Sequence, residues 1–250
     1  PFTAYELPFH AIDFCLRERG IPLGEVDRIA YSFDPSLLLG GWNGSETIQL
    51  PLEPSARSAG EEWTGVWDPL FLSSIVNAPR HLIGGVPHHL GRAWQGLTWP
   101  GPWEWHFVPH HVAHAASAFL PSPFEEAAIL CLDGRGERTS TTYGTGAGTT
   151  MDLFGEVPLP HSLGLLYEEV TAHLGFLRSS DEYKVMALAS FGKPCYLREF
   201  EKRIRRGADG SYAIAPLELE EWFGPARSRG SALEERHFDL AHSLQAVLEK

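Results

Sequence analysis

Six apolar residues in a row, Ala127 to Leu132, end abruptly at Asp133-Gly134-Arg135-Gly136-Glu137. A run this short, bounded by glycine, reads as a buried strand. The Asp-Gly step lets the chain reverse. The run Thr139-Ser140-Thr141-Thr142-Tyr143, rich in β-branched residues, then supplies a returning strand. A third extended piece, Met151 to Leu159, precedes a helix. That helix has Ser162 as N-cap, apolar Leu165, Leu166, Val170 and Leu174, and Gly175 at its close. The order strand, turn, strand, strand, helix is one half of an actin/Hsp70/sugar-kinase type of fold.

The rest of the chain fits an α/β domain with mixed sheets flanked by helices. Residues 8–20 have apolar spacing near 3.6 and a terminal Gly20, which predicts a helix. Val26 to Phe33 follows as a strand, and the stretch 35–68, rich in Gly, Pro and Ser, as a long irregular excursion. Residues 69–95 read as helical, interrupted at Pro79 and Pro87. Trp94, Trp99, Trp103 and Trp105 cluster next, either as a stacking platform or as packing around proline-rich loops. Glu104 to Val108 reads as a strand and His110 to Leu120 as a helix. Further on, helices are expected over 181–188, 194–206, 217–223 and 238–250, a strand over 211–214 and a surface loop over 228–236. Two divisions follow: 1–109, the remainder of a first lobe with a long insertion, and 110–250, a helix carrying histidines and the start of a second lobe.

Composition removes several classes of function. With 32 acidic and 20 basic residues the formal charge is −12, a poor match to nucleic-acid backbone or anionic membrane. No apolar run approaches the ~20 residues that span a bilayer. The three cysteines, Cys15, Cys131 and Cys195, are scattered and odd in number, which fits a reducing compartment and a cytoplasmic location. The start lacks both an initiating Met and a signal-peptide pattern, and Leu240 to Lys250 reads as a helix in mid-course. The expectation is a piece truncated at both termini.

Three constellations carry chemistry. In His110-His111-Val112-Ala113-His114, either His110 or His111 shares a helix face with His114. Two imidazoles one turn apart suit a metal ion; the alternative is a hydrogen-bonded pair at a helix start. No Glu lies between them as in H-E-x-x-H, which removes the zinc-peptidase reading. In Asp133-Gly134-Arg135-Gly136-Glu137 the glycines permit a nest of backbone N–H groups around an anion, or simply a hairpin turn. Asp133, about 19 residues after His114, completes a two-histidine, one-carboxylate set suited to Fe(II) or Zn(II). In Ser180-Asp181-Glu182-Tyr183-Lys184-Val185-Met186, Lys184 either reaches a phosphate or carbamoyl oxygen or pairs with Asp181 or Glu182. His161-Ser162 either touches an anion or caps its helix.

Taken in order, these blocks resemble a known family. His110-His111-x-x-His114-Ala115-x-Ser117-Ala118-Phe119, Ser122-Pro123-Phe124, Asp133-Gly134-x-Gly136-Glu137, Pro160 to Tyr167, Glu182 to Met186, and Asp239-Leu240-Ala241-x-Ser243-Leu244-Gln245 resemble the nodulation-protein and antibiotic-type O-carbamoyltransferases. The resemblance is dense over 110–250 and looser over 8–33.

The resemblance implies an actin/Hsp70-like (ribonuclease H-like) ATPase-type domain related to the tRNA threonylcarbamoyl-transfer proteins. It implies transfer of a carbamoyl group from carbamoyl phosphate, through an ATP-derived carbamoyladenylate, to a hydroxyl of a small molecule. It implies His110 and His114 as iron ligands with Asp133 as a third, Gly134, Gly136 and Glu137 on the nucleotide side, and Lys184 there as well. The family's opening strand with its candidate base histidine, its later glycine-rich nucleotide loop, a further ligating aspartate and the adenylate-forming domain are not found in this sequence. The expectation is that 1–250 alone is inactive. Ala187 stands where the family has glycine. The rival readings are a nucleotide- and metal-binding module without catalysis, a kinase of the same superfold, and histidines of structural use only.

Overall fold

The computed structural model describes residues 8–34, 37 and 104–250. The chain falls into two compact units, Pro1–Ala113 and His114–Lys250, and the division lies within one helix. The excursion over 35–68, the helical stretch over 69–95, and Trp94, Trp99 and Trp103 fall outside the described residues.

In the first unit, helix α1 (Phe9–Arg19) carries Arg17 and Arg19 in its last turn, where cations meet the negative end of the dipole. Gly20, at φ 72°, ends it. The N–H groups of Gly20 and Ile21 both reach the Leu16 carbonyl, at 2.9 and 3.1 Å. Such a left-handed closure favours glycine. After a 3₁₀ turn at Leu23–Glu25, strand β1 (Arg28–Tyr31) pairs in parallel with β2 (Glu104–Phe107), with Arg28 opposite Glu104 and Tyr31 opposite Phe107. Both strands form where expected, the first four residues shorter and the second one residue shorter.

Helix α2 (His110–Phe119) follows, and from its middle the second unit begins. Strands β3 (Glu126–Leu132), β4 (Thr139–Ala147) and β5 (Thr150–Pro158) form an antiparallel meander in the order β3-β4-β5. Ala115 and Phe119 of α2 pack on Ile129 and Cys131 of β3. The apolar run over 127–132 was expected to be buried throughout. It alternates instead: Ile129 and Cys131 are buried, while Leu130 and Leu132 are 63% and 58% exposed. Successive side chains point to opposite faces, and among the described residues α2 covers only one.

Strand β4 also runs past Tyr143 to Ala147, through Gly144 and Gly146. A Cβ on Gly144 would sit 2.0 Å from the Asp152 carbonyl oxygen, and one on Gly146 2.5 Å from the Phe119 ring. Close approach demands glycine there and hides the strand from a propensity reading.

The remaining elements are helical apart from one small hairpin. They are α3 (Leu163–His173), α4 (Glu182–Ala189), α5 (Leu197–Arg203), α6 (Leu219–Trp222) and α7 (Glu235–Leu248). Their apolar faces meet in one core that includes Val170, Leu174, Val185, Phe200, Leu240 and Leu244, all fully buried. The helix expected over 194–206 stops at Arg203. Ile204–Arg206 (β6) turns back instead to pair with Tyr212–Ile214 (β7), Ile204 opposite Ile214. The Asp209 carboxylate accepts from Ser211 N–H and O–H, and Gly210 takes φ 84°. That turn chemistry outweighs helix propensity. Helix α7 starts three residues before the expected Phe238, on a capping box between Glu234 and His237.

Candidate metal centre

Helix α2 presents His110 and His114 one turn apart on one face, while His111 is buried. This selects the i, i+4 pair from the two that the spacing allowed. His110 Nδ1 donates to the Ser32 carbonyl at 3.0 Å, which makes Nε2 its lone-pair nitrogen.

Asp133 stands just past the end of β3, its N–H donating to the Ser140 carbonyl at 2.9 Å. The Gly134 N–H donates to Asp133 Oδ1 at 2.6 Å, and Asp133 Oδ2 lies 3.4 Å from His114 Nε2. One ligand atom from each of His110, His114 and Asp133 falls within 4.8 Å of the others. Two imidazoles and a carboxylate in that span are a donor set suited to a divalent transition metal. The Cys131 thiol below is pushed up in pKa, first by burial and then by the charge of Asp133.

The turn after Asp133 is tied to α3. Ser162 Oγ accepts from the Leu165 N–H at 3.1 Å, as expected of an N-cap, and donates to the Gly134 carbonyl at 2.7 Å. A Cβ on Gly164 would lie 2.5 Å from Gly134 Cα, so backbone meets backbone there. The Gly136 N–H donates to the Thr139 carbonyl at 2.7 Å, and Glu137 is buried. The N–H groups of Gly134 and Gly136 are thus used within the turn. His161 Nδ1 accepts from Ile214 N–H at 3.1 Å, a structural use.

Two clefts open beside Asp133. One, of about 480 Å³, is lined by His114, Ser117 and residues 127–133. The other, of about 530 Å³, is lined by Asp133, Gly134, Gly164, Tyr167, Glu168, Ser179 and Glu182, among others. Lys184 lines neither. Its Nζ lies 2.8 Å from Asp181 Oδ1, and that bond raises the lysine's pKa and lowers the aspartate's. Sequence reasoning missed Glu168, which pairs with Arg135 and accepts from the Ser179 hydroxyl at 3.0 Å. It names no chemistry by itself, because helix-surface glutamates are common.

Two histidines of one helix thus face a strand-end aspartate, beside a glycine turn capped onto the next helix. Residues 103–250 match the family described as the carbamoyltransferase N-terminus, and the chain belongs to that family. An uncharacterized protein of Synechocystis sp. is 33% identical over 97% of this chain and 40% of its own length. Nodulation protein NolNO of Sinorhizobium fredii is 30% identical over 98% of this chain and 33% of its own. Nodulation protein NolO of Bradyrhizobium diazoefficiens is 36% identical over 56% and 26%. The chain thus spans two fifths or less of these relatives.

Proposed function

We propose that the full protein transfers a carbamoyl group from carbamoyl phosphate, through an ATP-derived carbamoyladenylate, to a hydroxyl of a small molecule, in the cytoplasm. The observation that carries this reading is the convergence of His110, His114 and Asp133 next to two clefts, in a chain of the carbamoyltransferase family. The meander β3-β4-β5 followed by α3 supports a fold of the actin/Hsp70-like type.

His110, His114 and Asp133 would hold Fe(II) or another divalent ion, which would supply a Lewis acid for charge developing at the carbamoyl and phosphate oxygens. The protein's own part is placement. Gly134 N–H fixes Asp133 Oδ1 and so directs Oδ2 to His114. Gly134, Gly136 and Glu137 take the nucleotide side, which Gly134's place on the second cleft supports. Lys184, which lines neither cleft and is paired with Asp181, would reach the phosphates only by exchanging Asp181 for the ligand.

In the transfer step the acceptor's hydroxyl oxygen bonds to the carbamoyl carbon. The bond from that carbon to the adenylate oxygen breaks, the hydroxyl proton is lost and AMP leaves. Before it, water cleaves carbamoyl phosphate to carbamate and phosphate, and a carbamate oxygen then bonds to the α-phosphorus of ATP as the bond from that phosphorus to pyrophosphate breaks.

Product analysis on the full-length protein tests the reading. Pyrophosphate release that depends on carbamoyl phosphate, followed by AMP and a carbamate ester with an acceptor, is expected. Formation of ADP and a phosphorylated acceptor would establish a kinase instead. Binding of ATP without turnover of either kind would establish a module without catalysis.

A further inference from the structure

The wall of the cleft of about 530 Å³ includes a tyrosine to which the chemistry above gives no task. Tyr167 lies on α3, three residues after the Gly164 contact with Gly134. It lines the cleft, yet it is only 7% exposed. Its hydroxyl is buried and, among the described residues, has no hydrogen-bond partner. Buried phenols ordinarily find a partner, because an unsatisfied hydroxyl keeps its full desolvation penalty.

The other polar side chains of the cleft are occupied or only accept. Glu168 holds Arg135 and the Ser179 hydroxyl, and Glu182 accepts from Ser179 N–H at 2.7 Å. Asp133 Oδ1 accepts from Gly134 N–H. Burial, and after it the charge of Glu182, push the Tyr167 pKa up to about 12. The phenol therefore stays protonated at neutral pH and is available as a donor. Carboxylates only accept, so a ligand hydroxyl placed among them donates to one of them and takes its own hydrogen bond from the phenol.

We propose that Tyr167 is a ligand-binding residue of this chain, its O–H donating to an oxygen of the adenine nucleotide held in the cleft beside Asp133. The proposal rests on the adenylate reading above. Tyr167→Phe removes one oxygen and keeps the ring. Because the hydroxyl bonds to nothing among the described residues, a purely structural role gives it no bond to lose.

The test is calorimetric binding of ATP to the full-length protein and to Tyr167→Phe, with thermal melting of both. A Kd raised about fivefold to tenfold is expected, with Tm unchanged or higher. An unchanged Kd overturns the proposal. So does a weaker Kd accompanied by a lowered Tm, since that marks a structural role. If the wild-type protein binds no ATP, the adenylate reading itself fails and takes this one with it, whereas a wild type that binds and a variant that binds equally well sink only the role of Tyr167.

Discussion

His173 and His237 are both buried beside one ring, their centroids 5.4 and 6.0 Å from that of Phe223. Burial lowers both pKa values below the ordinary 6.5, and Arg236 pushes both further the same way while Glu220 opposes it at His173. His237 Nδ1 also accepts from Glu234 N–H at 2.9 Å, a bond that protonation at that nitrogen would end. The unfolded chain therefore binds more protons than the folded one below about pH 6.5, and stability falls as pH drops from there toward the lowered folded values. Denaturant unfolding at pH 7.5 and 5.5 is expected to show that loss, and a smaller one in His173→Gln. Equal losses in variant and wild type would remove His173 from the effect. The histidines of α2 show the limit of single-residue reading. A helical turn of 3.6 residues lies between spacings of three and four. The sequence therefore left His110 and His111 equivalent, and only the packing of α2 buries His111.

Among elements, α3 has the most consequence for the site. Ser162 both caps it and holds the Gly134 carbonyl, one residue after Asp133. Ser162→Ala is expected to cost about 1–2 kcal/mol in denaturant unfolding, because a cap and a second bond are lost together. A cost below ~0.5 kcal/mol would show that neither bond matters. Elements whose signals are local were legible: α1 from Gly20, α3 from Ser162 and its apolar period. Those set by distant contacts were not. The end of β4 depends on Phe119 and Asp152 meeting glycines, and α5 gives way to β6 because Ile214 offers it a partner. The exposure of Leu130 and Leu132 was hidden for the same reason, since an apolar run does not say which faces will be covered.

For the molecule as a whole, family membership came from ordered blocks that no single motif would have carried. Their order, from His110 to Gln245, lies within the matched span 103–250. The acceptor's chemistry was not legible, because its contacts follow no periodicity. The central claim is that His110, His114 and Asp133 hold a divalent metal. Elemental analysis of purified protein, wild type beside His114→Ala, tests it most directly. One divalent ion per chain is expected in the wild type and a loss of most of it in the variant; protein that is metal-free after reconstitution with Fe(II), or a variant that retains a full equivalent, would contradict the account.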